Sequence, residues 1–248
     1  NDMMRDSLGR IDLFIQKIDQ AENLDAILDI IRVQIARLGF QRFTYWLMWH
    51  PDGRRASVWL TSYPREWIDY YVDKNMAGDD LVVRYGAAQK SPYIWSEVKK
   101  IYRPTDAQKI VFGESAAAGL RAGGSVPIYG PGSAKALFSV ANDESEEQFQ
   151  KLFFDSRHEL HLIATYAHEK IIGLGLQKND RRSVRLTARE IEILTWTARG
   201  KTRWEISQIL SLSEETVKRH LDHVCRKLET NNKTHATTIA ILNGLIFP

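Results

Sequence analysis

The sequence predicts two domains: an α+β domain built as an α-β-α sandwich, followed by an all-α domain of four helices. In the first part of its 248 residues, helical and strand patterns alternate. The strands follow one another across short turns, which favours an antiparallel sheet with helices on both faces. Beyond residue 184 every pattern is helical, and a polar, glycine-containing stretch precedes that point. We therefore predict a first domain over 1–172, a linker over 173–184 and a second domain over 185–248.

The first elements of this domain follow from apolar spacing and turn residues. Apolar residues recur at helical spacing over 8–18 and 24–38, so each segment predicts a helix. Aromatic and β-branched residues over 43–49 and 56–60 flank a Pro-Asp-Gly turn at 51–53. This arrangement predicts a β-hairpin.

A second hairpin and further helices complete the first domain. Strands over 123–128 and 135–141 flank a Tyr-Gly-Pro-Gly-Ser turn at 129–133. Pro64 suits the first turn of a helix, because its ring fixes φ near a helical value. The helices expected here are 64–71, 79–89, 105–118 and a long one over 145–172.

Helix-end signals predict the four helices of the second domain. Residues 187–190 (Thr-Ala-Arg-Glu) and 202–205 (Thr-Arg-Trp-Glu) are capping boxes, in which threonine and glutamate each satisfy a backbone N–H group. Ser213 is the expected N-cap of a third helix. A last helix is expected over 234–245.

The second and third of these helices fit the geometry of a helix-turn-helix. They are joined by the three residues 211–213, and the third helix carries many basic and polar residues. Residues 177–248 hold 13 Lys and Arg against 8 Asp and Glu, whereas the rest of the chain holds 21 against 23. Such an uneven distribution of charge is typical of a protein in which one domain binds the phosphate groups of nucleic acid. Spacing and charge alone also fit a helical bundle with a solvated basic face.

The residues of this region also resemble a known family. Leu186-Thr187-x-x-Glu190, Gly200-Lys201-Thr202, Leu212-Ser213, Thr216-Val217-Lys218 and Lys227-Leu228 are similar to the LuxR-type four-helix DNA-binding domain. The resemblance implies that the third helix enters the major groove of double-stranded DNA. The residues that it assigns to DNA binding are Thr202, Ser213, Thr216, Lys218, Arg219, His220 and Lys233.

A spaced set of aromatic residues marks the first domain. Tyr63, Trp67 and Tyr71 fall at positions i, i+4 and i+8, hence on one face of a helix, and Asp80 and Trp95 follow. A buried carboxylate must find donors, because an unpaired charge in an apolar site is costly. A ligand with an N–H group could supply one. Aromatic residues at this spacing equally fit an ordinary core.

This set resembles the autoinducer-binding domain of LuxR-family quorum-sensing receptors, which bind N-acyl homoserine lactones. The resemblance covers 8–172, and the two domains stand in the order found in the family. It implies that Trp67 donates its indole N–H to the lactone carbonyl. Tyr63 would donate its hydroxyl to the acyl-amide carbonyl, and Asp80 would accept the amide N–H.

The same resemblance assigns the remaining walls of the pocket. Trp95 would pack against the lactone ring, and Tyr71 would form a wall beside it. Ser139 would offer a hydroxyl near the acyl carbonyl or a 3-substituent. The residues expected to line the acyl chain are Val82, Val111 and Leu120.

One departure from the family pattern bears on the direction of the carboxylate. The family usually has a proline after this aspartate, whereas this sequence has Leu81. Asp79 is a second candidate for the same role, although the spacing from Trp67 favours Asp80.

Enzymatic chemistry and metal binding are not indicated. His50, His158, His161 and His168 invite a metal or general-base hypothesis, but no metal-binding, nucleophile-elbow or phosphate-loop motif accompanies them. We expect His161 and His168 on the surface or at an interface of the long helix, with no catalytic residue and no metal. A phosphorylated receiver domain is rejected, because the chain opens with helices and its strands are antiparallel. No apolar stretch approaches the roughly 20 residues that a membrane helix needs.

The sequence therefore predicts a ligand-responsive, DNA-binding transcriptional regulator that senses an N-acyl homoserine lactone in quorum sensing. The first domain would bind the ligand and dimerise, and the homodimer would bind a palindromic promoter site. We expect it in the cytoplasm, without a cofactor; its single cysteine, Cys225, fits a reducing compartment. The alternative is a LuxR-type regulator that responds to a different small molecule or acts without a ligand.

Overall fold

The computed structural model describes residues 2–49, 55–130, 135–178, 186–242 and 244–248. The chain forms two compact units. The first is made of Asn1–Met48, Ala56–Tyr129 and Lys135–Lys178, and the second contains Asn179–Pro248. The expected turns at 51–53 and 131–133 lie outside the described residues. No helix in the described ranges is both long and apolar enough to cross a membrane.

The first unit contains the predicted helices and both predicted hairpin strand pairs. It adds three short elements that the sequence did not suggest: a 3-10 helix at Met76–Gly78 and, around residues 93–101, one very short strand and one short helix. Its elements are α1 (Asp2–Gln20), α2 (Leu24–Arg37), β1 (Arg42–Trp49), β2 (Arg55–Thr61), α3 (Arg65–Asp73), a 3-10 helix (Met76–Gly78), α4 (Leu81–Gly86), β3 (Tyr93–Ile94), α5 (Trp95–Ile101), α6 (Asp106–Ala117), β4 (Ala122–Tyr129), β5 (Lys135–Asn142) and α7 (Glu146–Lys178).

The strands form one five-stranded sheet in the order β2-β1-β5-β4-β3. β4 pairs antiparallel with β5 and places Ser125 opposite Ser139, and β3 pairs antiparallel with the other edge of β4. Two separate clusters of buried side chains use alternate residues of the same strands; Phe138 belongs to one and its neighbour Leu137 to the other. Side chains alternate between the two faces of a strand, so both faces of the sheet are covered. The predicted α-β-α fold class is confirmed.

One face of the sheet is closely packed against long helices. Phe43 and Phe138 stack on this face with ring centroids 5.8 Å apart, and both are fully buried with residues of α1, α2 and α7. At Gly124 an added Cβ would lie 2.4 Å from Cε2 of Phe153 on α7, so only glycine lets the helix approach β4 this closely. This face is a solid core.

The long helix α7 runs past its predicted end at residue 172 and continues to Lys178. A glycine within a helix costs only about 1 kcal/mol relative to alanine, so Gly173 does not end it. Residues 173–178 of the expected linker are therefore helical, and residues 179–184 lie outside the described part of the chain. The domain limits given above stay a prediction.

The expectation that His168 lies on the surface or at an interface is wrong. Its side chain is 3% exposed, and Nδ1 lies 2.8 Å from the hydroxyl oxygen of Tyr45 on β1. Nε2 is buried and has no hydrogen-bond partner in the described structure. Burial lowers the pKa of His168 to about 4, because the charged imidazolium loses its solvation. His161, about two turns earlier on α7, is exposed as expected.

The second unit contains α8 (Ala188–Ala198), α9 (Arg203–Leu210), α10 (Glu214–Lys227) and α11 (Lys233–Leu242). Both predicted capping boxes are present, with Thr187 and Glu190 on α8 and Thr202 and Glu205 on α9. The last helix ends at Leu242, three residues before its predicted end. The buried core of this unit is Ile193, Leu194, Ile206, Val217, Leu221, Val224, Ala236, Ala240 and Ile246.

Because His168 is buried, we predict that the first unit loses stability at acidic pH. Its folded-state pKa is lowered from 6.5 to about 4, so the unfolded chain binds the proton more readily. The stabilising effect of the neutral ring is therefore complete above pH 6.5 and is lost as the pH falls toward 4. We expect a loss of up to about 3 kcal/mol over this range. Thermal unfolding of wild type and His168→Gln as a function of pH measures it.

The matched control for this prediction is His161→Gln, which changes an exposed histidine on the same helix. It should leave the wild-type pH profile unchanged, whereas His168→Gln should flatten it. Parallel pH profiles for wild type and His168→Gln would contradict the prediction.

Candidate ligand-binding site and nucleic-acid interface

The second face of the sheet encloses a cavity of about 70 Å³. A single buried water needs on the order of 10–15 Å³, so there is room for several waters or a small chemical group. All nine residues that the sequence analysis assigned to ligand binding line this cavity. The complete lining is Thr44, Trp46, Trp59, Tyr63, Trp67, Ile68, Tyr71, Asp80, Val82, Val83, Trp95, Val111, Phe112, Ser115, Leu120, Leu137 and Ser139.

Asp80 is the only carboxylate in this lining, and three hydrogen bonds hold it. It is the N-cap of α4: its Oδ1 accepts from the backbone N–H groups of Val82 at 2.8 Å and Val83 at 3.4 Å. Its Oδ2 accepts from the Tyr71 hydroxyl at 2.8 Å. The cap fixes the carboxylate although Leu81 stands where the family has proline. Asp79 is exposed and does not line the cavity, so Asp80 is the better candidate.

The surroundings of Asp80 have two opposite effects on the pKa of its carboxyl group. Burial is the largest influence and raises the pKa of the carboxyl group. The hydrogen bonds from Tyr71, Val82 and Val83 oppose this effect, because they stabilise the ionised form.

The aromatic residues around α3 form one wall of the cavity. Pro64 is the N-cap of α3 and not a residue of its first turn, so Tyr63 precedes the helix that carries Trp67 and Tyr71. The Trp67 and Tyr71 rings meet edge to face with centroids 5.6 Å apart. The Tyr63 hydroxyl is buried and has no hydrogen-bond partner among the described residues. Burial and then the Asp80 charge raise the pKa of Tyr63, so the phenol stays protonated and can donate.

A chain of hydrogen bonds fixes the Trp95 ring at the sheet. Its indole Nε1 donates to Ser125 Oγ at 3.0 Å, and Ser125 Oγ lies 2.8 Å from Ser139 Oγ. A Cβ added at Gly123 would lie 2.5 Å from the indole, so glycine lets the ring lie flat on β4. Sequence reasoning missed Ser125, whose role depends on its register opposite Ser139.

Sequence reasoning also missed two polar residues of β1 that line the cavity. Thr44 Oγ1 and Trp46 Nε1 are both buried without a hydrogen-bond partner in the part of the chain described. Trp46 packs on Trp59 of β2, with ring centroids 4.6 Å apart. Strand alternation was the available signal, because Phe43 and Tyr45 belong to the solid core and the residues after them must face the other way.

In the second unit, α10 presents the basic residues that were assigned to DNA. Its N-cap Ser213 accepts from the backbone N–H of Thr216 at 3.1 Å, and the two hydroxyl oxygens lie 2.8 Å apart. Lys218 and Arg219 are exposed, and His220 is partly buried. The arrangement leaves the first two turns of α10 open to a partner.

Two other residues assigned to DNA lie at helix ends. The Thr202 hydroxyl caps α9, accepting from the backbone N–H of Glu205 at 3.2 Å and donating to its carboxylate at 2.9 Å. Lys233 is exposed at the start of α11. Buried Glu190 accepts from Lys227 Nζ at 2.6 Å and so ties α8 to the end of α10. No group of three or more His, Cys, Asp or Glu that could hold a metal occurs among the residues described.

The combination of an aromatic cavity with a buried carboxylate and a helix-turn-helix unit defines a class of ligand-responsive DNA-binding regulators. Two family models match the chain, the autoinducer binding domain over 23–171 and the bacterial regulatory proteins of the luxR family over 184–240. The chain therefore belongs to the LuxR family of quorum-sensing transcriptional regulators.

Relatives and solved structures agree with this assignment. The chain is 36% identical over 239 residues to the quorum sensing-dependent regulator RpaR of Rhodopseudomonas palustris, covering 94% of each protein. It is 32% identical to the transcriptional activator LuxR of Aliivibrio fischeri over 75% of this chain and 74% of that protein. The crystal structure of Escherichia coli SdiA superposes with a TM-score of 0.76 at 23% identity, covering 97% of this chain and 99% of that one. The last comparison supports the fold.

Because Gly123 lies directly against the Trp95 ring, we predict that a methyl group added at residue 123 destabilises the first unit. Gly123→Ala should destabilise the first unit by about 1–3 kcal/mol, because the indole must leave its place on β4. The free energy of unfolding in urea measures this change. Gly113→Ala is the control, since Gly113 lies within α6 with no atom within 4 Å of an added Cβ. Equal stability of Gly123→Ala and wild type would contradict this expected loss.

Proposed function

We propose that the cavity of the first unit binds an N-acyl homoserine lactone and that this binding controls the DNA-binding unit. The observation that carries the proposal is the pair formed by Asp80 and Tyr63 at one cavity. Asp80 is an acceptor held in place, and the buried Tyr63 hydroxyl is a donor without a partner in the described structure. A secondary amide offers the complementary N–H and C=O groups.

The amide is the part of the ligand that the site would recognise most strongly. A carboxylate has about four lone-pair directions, and Asp80 uses three for Tyr71, Val82 and Val83. The amide N–H would take the remaining one. Tyr63 would donate to the acyl carbonyl and so satisfy a buried polar group that otherwise carries a desolvation penalty.

The lactone ring would lie between Trp67 and Trp95. Trp67 would donate its indole N–H to the lactone carbonyl. Trp95 cannot do so from its present position, because its own N–H is bonded to Ser125, so it would contribute a flat packing surface. Tyr71 would support Asp80 from the side, and the hydroxyl of Ser139 would lie near the acyl carbonyl.

The acyl chain would be buried among apolar side chains, of which Val82, Val111 and Leu120 are already buried. Burying each CH₂ group contributes roughly 0.8 kcal/mol, comparable with the roughly 1 kcal/mol net value of a neutral hydrogen bond. A cavity of about 70 Å³ is smaller than an acyl lactone. Binding would therefore move side chains and complete the core around the ligand, which stabilises the liganded fold by mass action.

The second unit would read DNA through α10. Thr216, Lys218 and Arg219 would reach base edges and phosphates in the major groove, with His220 beside them. The helix ends at Thr202 and Ser213 and the exposed Lys233 would contact phosphate, because helix N-termini favour anions. A homodimer, with α7 as the proposed dimerisation helix, would present two such helices to a palindromic site. We place the protein in the cytoplasm with its DNA.

The ligand proposal is tested with Asp80→Asn and Trp67→Phe. Asparagine is a good N-cap, so Asp80→Asn keeps α4 but loses the charged acceptor. We expect roughly 10- to 100-fold weaker binding for Asp80→Asn and a smaller loss for Trp67→Phe. Binding is measured by thermal shift of the full chain with lactones of increasing acyl length.

Asp79→Asn is the matched control, because Asp79 is exposed beside Asp80 and does not line the cavity. Octanoyl glycerol, which is present in a solved complex of SdiA, is the control ligand because it has no amide N–H. The amide contact is refuted if Asp80→Asn and Trp67→Phe bind the lactones as tightly as wild type. Stabilisation by the glycerol ester alone would favour a regulator of a different small molecule.

The DNA proposal is tested with the double variant Lys218→Ala, Arg219→Ala. It should bind a palindromic target at least about tenfold more weakly, and its affinity should depend less steeply on salt. Gel-shift titrations at several salt concentrations measure both quantities. Arg32→Ala with Lys109→Ala removes the same charge from exposed sites of the first unit and should leave affinity unchanged. Unaltered affinity in the α10 variant would refute the groove assignment.

A further inference from the structure

A buried tyrosine outside the cavity holds the helix that Asp80 caps. Tyr93 lies on β3, is 4% exposed and is not among the residues that line the cavity. Its hydroxyl donates to the backbone carbonyl of Val82, in the first turn of α4, at 2.6 Å. Because Tyr93 does not line the cavity, its hydroxyl can affect the site only through α4.

One peptide unit connects Tyr93 to Asp80. The carbonyl that Tyr93 binds and the N–H of Val83 belong to the same peptide, and that N–H donates to Oδ1 of Asp80 at 3.4 Å. A trans peptide is planar, so its C=O and N–H point in opposite directions and turn together. The N–H of Val82, one peptide earlier, donates to the same carboxylate oxygen at 2.8 Å. Tyr93 therefore fixes, from the opposite side, the direction of a donor that holds the carboxylate.

The sheet and the helix enclose the Tyr93 side chain. β3 pairs with β4 and places Tyr93 opposite Ser125. The Tyr93 ring meets the Tyr85 ring of α4 edge to face, with centroids 4.9 Å apart. A Cβ added at Gly86 would lie 2.5 Å from the Tyr93 hydroxyl oxygen, so glycine lets α4 lie directly on this oxygen. The hydroxyl thus joins the edge of the sheet to α4.

We infer that Tyr93 is a positioning residue, which keeps the Asp80 carboxylate directed at the amide N–H of the ligand. This inference rests on the proposed lactone binding at Asp80. The carboxylate follows the N–H groups that hold it, so a rotation of the peptide between Val82 and Val83 turns the carboxylate away from the ligand. Hydrogen bonds weaken steeply when donor and acceptor lose their alignment. Tyr93 prevents this loss without contacting the ligand.

The test uses two lactones with the same acyl chain, one with the amide and one in which an ester oxygen replaces the amide N–H. The ratio of their dissociation constants reports the contact between the N–H and Asp80, because the ligands differ at that group. Both constants are measured by thermal shift of the full chain. Wild type should favour the amide by at least about tenfold. Tyr93→Phe, which removes only the hydroxyl, should lower that ratio by about threefold or more.

The matched control is Tyr85→Phe, which removes the same atom from the ring that contacts Tyr93. It should keep the wild-type ratio. If Tyr93 only stabilised the fold, Tyr93→Phe would weaken both lactones equally, and an unchanged ratio therefore overturns the inference. Asp80→Asn should lower the ratio by itself, and adding Tyr93→Phe should lower it no further. A further fall in the double variant would show that Tyr93 does not act through Asp80, which also overturns the inference.

Failure of the proposed function gives a different result. If wild type binds neither lactone, or binds the amide and the ester equally, the amide contact at Asp80 is wrong and the role of Tyr93 falls with it. If wild type prefers the amide and Tyr93→Phe keeps that preference, only the inference about Tyr93 is wrong.

Discussion

The first unit is organised around the Asp80 carboxylate, which is taken out of water and held by three hydrogen bonds. Asp80 is the N-cap of α4, and two backbone N–H groups of that helix donate hydrogen bonds to its carboxylate. Tyr71 adds a third bond from α3, so the carboxylate joins two helices that belong to the same cavity wall. Burial makes the ionised form costly and the three donors offset part of that cost.

The two faces of the sheet have opposite roles, although the same strands build both. On the α7 side, Gly124 brings Phe153 directly onto the backbone and leaves a solid core. On the other side, Gly123 lets the Trp95 ring approach the backbone of β4 just as closely. Beyond this ring, polar and aromatic side chains surround a cavity. Neighbouring glycines thus set the thickness of both layers.

Local signals in the sequence predict most of the helices and strands, because capping boxes, turn residues and apolar spacing act over a few positions. Both predicted capping boxes of the second unit are present, and the nine residues assigned to ligand binding line one cavity. Long-range contacts are what sequence reasoning misses. Burial of His168 depends on Tyr45, more than a hundred residues away, and the role of Ser125 depends on its register with β5. Neither contact can be predicted from the spacing of residues within a single helix or strand.

The unpaired atoms of the cavity connect its stability to its selectivity. Tyr63, Thr44 and Trp46 each hold a polar atom in a buried place without a partner in the described residues, which lowers the stability of the unliganded unit. A ligand that supplies the missing partners recovers that free energy when it binds, so the same groups that weaken the empty fold favour the matching ligand. A ligand that lacks one partner leaves the cost in place. Discrimination among similar small molecules would then follow from unsatisfied hydrogen bonds, which reject a poor match more strongly than apolar contacts can.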